Sequence, residues 1–208
     1  MALIPNITAP NAAPAALEGF AAFLQSKVEE GGEFKPGESI QFAWMWLQVE
    51  GDDAGLYVAA PTFGKMPMEF AADCSVALNL VLQQGFVTSS FGLPMEMCHA
   101  AQSAIVIKDL QSSERWFMNR TDGEENHASG WYIGAEDSQL DPNDPANLEL
   151  RSLWELFCLR PEMGEFFLLP PGLIVALEDT PKVLKDGEPL APLEDSYFAQ
   201  KFPDSFAN

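Results

Sequence analysis

Residues 115–135, RWFMNRTDGEENHASGWYIGA, set two runs of aromatic and apolar residues on either side of a polar, glycine-containing turn. Such runs read as strands, and a turn this short sends the second strand back alongside the first. An antiparallel hairpin in mid-chain is hard to reconcile with regular strand-helix-strand alternation, and so with a doubly wound sheet. In the returning strand Gly130 and Gly134 bracket an alternating stretch. A period of two places Trp131 and Ile133 on one face and Tyr132 on the other. Trp131 is therefore expected in the core, with the two glycines shaping the ends of its strand.

The rest of the chain reads in the same mixed order. Leu17, Phe20, Leu24 and Val28 recur at helical spacing before EEGGEFKPGES breaks the helix. SIQFAWMWLQV reads as a strand, EGDDAG as an acidic turn and LYVAAPTF as the returning strand. A second amphipathic helix is predicted from Glu69 to Gln84, ending near Gly85, followed by a short apolar strand in SAIVIKDL. Ser152 and Glu155 fit the S-x-x-E capping box, so a short helix carrying Trp154 and Phe157 is predicted to start there and stop by Pro161. A Pro-Gly turn leads into a last apolar strand, Leu173 to Leu177, and the tail beyond Asp179 is expected to wrap loosely. The predicted class is α+β: antiparallel hairpins packed with a few short helices, in two modules whose hairpins repeat in outline. The boundary is expected near residues 92–102, giving a module at 1–98 and a domain at 99–208.

Thirty-one acidic residues against eleven basic give a formal charge of −20. That field argues against nucleic acid and anionic membrane surfaces and is compatible with a basic partner. Cys74, Cys98 and Cys158 are far apart and odd in number, which suits a reducing cytoplasm better than a disulfide framework or a paired zinc site. The start, MALIPNITAPNAAPAALEGF, has neither a positive n-region nor a continuous apolar core, and no later segment supplies about 18 uninterrupted apolar residues. Secretion by a standard signal and membrane spanning are therefore not expected.

Catalytic chemistry finds little to work with. Only His99 and His127 could serve as imidazole bases, and the adjacent Cys98 and His99 point in different directions on either a helix or a strand. There is no G-x-S-x-G, no phosphate-cradling glycine loop and no H-E-x-x-H. The string DSQLDPNDP offers oxygen ligands without the spacing or terminal Glu of an EF-hand. Carboxylates in turns beside Gly, Asn and Ser should stay ionised, which makes poor general acids. No catalytic residue, metal ligand or cofactor is assigned.

From residue 103 to 178 the order of features is more specific than composition. SAIVIKDL, the Trp131 hairpin, LDPNDPANLELRSLWELF and GLIVALED follow one another. Ser129-Gly130-Trp131, then Gly134, Glu136 and Asp137, then Asp144-Pro145, Asn147 and Leu150 form its core. This arrangement resembles the immunity protein 33 family of bacterial toxin-immunity domains. The resemblance implies a non-enzymatic, cytoplasmic α+β protein that binds and neutralises a cognate protein toxin. The first hundred residues fall outside it.

Glu124, Glu125, Glu136, Asp137, Asp141 and Asp144 are the candidate partner-binding residues, because they flank the hairpin in a stretch without Lys or Arg. Charges held on a hairpin speed association and select orientation more than they add affinity. Gly130, Trp131, Gly134 and Trp154 are the candidate structural residues. Two alternatives remain open: a small metal-assisted or carboxylate-based hydrolase using Asp141 and Asp144, and a regulatory adaptor for another basic protein.

Overall fold

In a computed structural model, which describes residues 3–123 and 127–204, the chain divides into two compact units, Met1–Gln83 and Gln84–Asn208. The architecture is α+β, with the strands gathered into a four-stranded and a seven-stranded sheet.

The first unit opens with α1 (Pro14–Glu29), started by Pro14 in its first turn, where a missing N–H costs nothing. Its Phe20 and Leu24 are fully buried, and Phe42 packs on Phe20 with ring centroids 4.8 Å apart. The strands β1 (Ser39–Phe42), β2 (Met45–Asp52), β3 (Gly55–Pro61) and β4 (Phe70–Ala71) pair in that order, all antiparallel. The run SIQFAWMWLQV, expected as one strand, is two. The chain reverses at Ala43, which adopts φ 52°, so that Phe42 pairs with Met45. No glycine or asparagine marks that turn.

The division between the units falls inside α2 (Ser75–Ser90). This helix starts later and ends later than its periodicity suggests. Phe70 and Ala71 are taken by pairing with β3, and the Asp73 carboxylate accepts from the Ser75 amide at 2.8 Å, where the helix begins. Gly85 does not stop it. The helix ends instead in a Schellman motif, with left-handed Gly92 (φ 64°), Gly92 N–H donating to Ser89 and Leu93 N–H donating to Thr88.

In the second unit β5 (Ser103–Ile107), β6 (Trp116–Arg120), β7 (Ala128–Ala135), β8 (Leu148–Ser152), β9 (Leu173–Leu177), β10 (Lys182–Lys185) and β11 (Glu188–Pro189) form one sheet. Its order is β11-β10-β9-β6-β7-β5-β8. The β6–β7 hairpin is antiparallel, and β5 runs parallel to β7 with a register shift between Ser103 and Ile105. One face of the sheet is buried and carries Trp116, Met118, Trp131, Ile133, Val175 and Leu177. The segment Phe166–Leu169 lies against it, since the Phe167 carbonyl accepts from Trp131 Nε1 at 3.2 Å, Arg120 Nη1 at 2.9 Å and Cys98 Sγ at 3.3 Å.

The α3 helix (Leu153–Leu159) begins at a complete capping box, with Ser152 Oγ accepting from Glu155 N–H and the Glu155 carboxylate accepting from Ser152 N–H. Trp154 and Phe157 on it are buried. The tail departs from the expected loose wrapping. It supplies β10, β11 and α4 (Tyr197–Lys201), whose Phe198 is 1% exposed between Phe91, Phe166 and Phe202. Its Pro and Asp content obscures one well-placed aromatic anchor.

Candidate functional site

The two ends of β7 belong to different loops. Beyond its last residue, Ala135, the exposed Glu136 and Asp137 begin a loop that runs through Asp141 and Asp144 to the 3-10 turn Pro145–Asn147 and into β8. Before its first residue lies the β6–β7 turn. Glu124 and Glu125 fall outside the described residues, but the neighbours that are described, Gly123 and His127, sit at that other end. A strand of 8 residues spans about 25 Å, so the four carboxylates from Glu136 to Asp144 stand apart from the turn.

Each of those four is held locally. Glu136 N–H donates to the Arg115 carbonyl at 3.0 Å, and its carboxylate lies 3.4 Å from Arg115 Nη1. Asp141 accepts from the Asn143 backbone at 2.9 Å and from its side-chain amide at 3.0 Å. Asp144 accepts from Ala146 N–H at 2.9 Å and caps the 3-10 turn. The loop is tied to the end of β5 by Lys108, whose N–H donates to the Asn147 carbonyl at 2.9 Å and whose ammonium reaches the Ala146 carbonyl. Ser138 Oγ donates to Asp109 at 2.8 Å. The stretch lacks basic residues in sequence, yet the fold brings Arg115 and Lys108 to it.

The electrostatics favour the charged form of Asp137 and Asp141. A hydrogen bond from the Ser113 side chain, with help from Arg115, holds Asp137 below the ordinary aspartate value of 3.8, and the Asn143 backbone and side chain do the same for Asp141. Burial pushes the Cys74 and Cys98 thiols up to about 12, which leaves them protonated and poorly nucleophilic at neutral pH. Among the described residues no three His, Cys, Asp or Glu side chains come together as a metal-binding group. The four carboxylates thus stand exposed at one end of β7, beside Arg115 and Lys108.

Two further features border the hairpin. Arg120, the last residue of β6, is 3% exposed and donates from Nη1 to the carbonyls of Glu96, Phe167 and Leu169, with its guanidinium 5.4 Å from the Trp131 ring. Burial pushes its pKa down. A cavity of about 560 Å³ is lined by Arg120, Glu96, Gln102, Thr121 and Ser129. Sequence reasoning missed Arg120, although its inward position in the alternation Trp116, Met118, Arg120 was the available signal.

The glycines of the hairpin are fixed by contact. Gly130 adopts φ 78°, and a Cβ there would lie 2.1 Å from the Thr121 carbonyl oxygen. At Gly134 a Cβ would meet the Phe117 ring at 2.4 Å; Phe117 is its cross-strand partner and also packs on Tyr132 at 5.8 Å. Trp131 is 1% exposed.

Residues 83–186 match the Imm33-like domain family. The chain belongs to the Imm33-like family. The Imm33-like segment takes in the end of α2 and every strand from β5 to β10, a wider span than the 103–178 over which the resemblance is legible in sequence motifs. The residues beyond it add β11 and α4. Compared with curated proteins and with solved structures, the chain matches none. Among the described residues of this Imm33-like protein, no helix is long and apolar enough to cross a membrane.

Proposed function

We propose that this chain is a non-enzymatic binding protein of the bacterial cytoplasm that neutralises a cognate protein toxin by direct contact. The observation that carries the reading is membership of the Imm33-like family, whose segment contains the entire β6–β7 hairpin and the loop after it. Glu136, Asp137, Asp141 and Asp144 are proposed as the charged contact surface, together with Glu124 and Glu125. The loop from Glu136 to Asn147 supports this role because its carboxylates are exposed and held by backbone and side-chain bonds before any partner arrives. The partner's complementary face is basic. Residues 1–82 lie outside the family match, and the module expected at 1–98 is proposed as separate.

Co-expression with toxins encoded beside the gene tests the reading. One of them should be lethal alone and tolerated with this protein. Replacing Glu136, Asp137, Asp141 and Asp144 together by Lys should slow association by roughly tenfold or more at low salt, with a smaller effect on dissociation. Unrelieved toxicity from every neighbouring candidate would sink the proposal.

A further inference from the structure

The second face of the seven-stranded sheet is half-buried at Phe117, Asn119, Tyr132 and Ile174 and exposed at one end. Leu150 on β8 and Ile105 on β5 are direct cross-strand partners, 70% and 45% exposed, and Tyr132 on β7 lies next to Ile105 in register. Two large aliphatic side chains side by side differ from the scattered exposed apolar residues that any surface shows. Beside them the face forms a groove of about 400 Å³, lined also by Thr121, Asp122, Gly130 and Trp131. The β5–β7 register shift occurs beside it.

The groove lies next to an unpaired strand edge. Lys108 N–H donates to Asn147 O at one end of the β5–β8 ladder, and Leu153 N–H donates to Gln102 O at the other. Alternation between these two bonds directs the backbone groups of Glu149 and Arg151 toward β5 and those of Leu150 outward. Among the described residues no strand follows β8 in the sheet. The Leu150 N–H and C=O therefore present an edge for an added strand, beside the exposed side chains of Leu150 and Ile105.

We propose that an extended segment of a basic partner pairs with β8 at Leu150 and sets an apolar side chain against the exposed Leu150–Ile105 pair, at the rim of the groove these two share with Tyr132. Charge decides the occupant. A second copy of this chain would bring another −20, whereas a segment rich in Lys or Arg gains from the carboxylates of Glu136, Asp137, Asp141 and Asp144 in the loop that leads into β8. The inference rests on the reading of the chain as a partner-binding protein and adds where, and by which kind of segment, the partner is held.

The test uses the full chain and a short synthetic peptide in which lysine alternates with valine, followed by amide shifts and hydrogen exchange. Expected are shifts at Ile105, Leu150 and Tyr132 and slower exchange of the Leu150 amide. The peptide with glutamate in place of lysine should not bind. Ile105→Lys and Leu150→Lys, both at exposed positions, should weaken binding by roughly tenfold or more. Leu150→Pro should do so by removing the edge donor together with the leucine side chain, and Val76→Lys, exposed in the first unit, should change nothing. Absent binding, shifts confined to the acidic loop, or a homodimer broken by Leu150→Pro in sedimentation would each overturn the proposal. Toxin neutralised as well by Ile105→Lys and Leu150→Lys as by the parent would overturn the groove and leave the function standing. Peptide docking without neutralisation of any toxin would do the reverse.

Discussion

Gly130 and Gly134 look alike in sequence and are constrained in different ways. At Gly130 both the backbone angle and the Thr121 carbonyl oppose a side chain, and neither can be relieved by a rotamer change. At Gly134 the obstacle is the ring of Phe117, a side chain that can swing away at the expense of its contact with Tyr132. Gly130→Ala is therefore expected to destabilise by about 2 kcal/mol or more, and Gly134→Ala by less. Urea midpoints of the two variants check the order; equal losses would mean the Phe117 ring is as immovable as the backbone. Phe167 works at the same scale, because one carbonyl gathers donors from β6, β7 and Cys98. Nothing in the residue's identity announces that role, which belongs to the backbone and exists only once three separated segments meet.

Among the elements, α3 is the most self-contained, since its start signal and its capping partners lie within four residues. Ser152→Ala should cost about 1 kcal/mol. Removal of Glu155 on top of it should add less than it costs alone, because the two side chains bond each other as well as the backbone. A double-mutant cycle by thermal or denaturant unfolding measures that coupling, and strict additivity would show the box to be inert. The capping box and the β2–β3 and β6–β7 hairpins were legible in the sequence for the same reason: their determinants are local. The turn at Ala43 was not, because a left-handed alanine carries no compositional mark. Gly85 misled because a helix tolerates one glycine at a cost of about 1 kcal/mol when its flanks are held. The parallel pairing of β5 with β7 depends on where β6 returns, information spread over the whole segment. The candidate carboxylates were visible as residue types. Their partners Arg115 and Lys108 arrive from other parts of the sheet, and the separation of the two loops by the length of β7 follows only from the fold.

The whole molecule carries 31 acidic and 11 basic residues, and among the described residues the ion pairs of Lys27, Lys65, Arg115 and Lys182 are exposed. Exposed pairs contribute little, so the dominant long-range term is repulsion among carboxylates. Raising salt from a few millimolar to about 0.15 M shortens the screening length to roughly 8 Å and should raise Tm by a few degrees. A fall in Tm would show that the ion pairs outweigh the net charge. Acid works through different groups. Asp137 and Asp141 have folded values below the unfolded one, so what they contribute is present above the ordinary aspartate value of 3.8 and is lost as pH falls through the lower folded values. Their local bonds therefore persist through mild acidification, in which other carboxylates begin to lose charge and the repulsion eases.

The position of β6 in the sheet also bears on synthesis. One neighbour, β7, follows it directly, but the other, β9, is made only after β8, α3 and the segment through Pro171. As the chain leaves the ribosome, the hairpin at its heart waits with one bare edge until Leu173–Leu177 emerges. During that interval the nascent polypeptide exposes the tryptophan face it will later bury, and it is then that the protein most needs shielding from its neighbours.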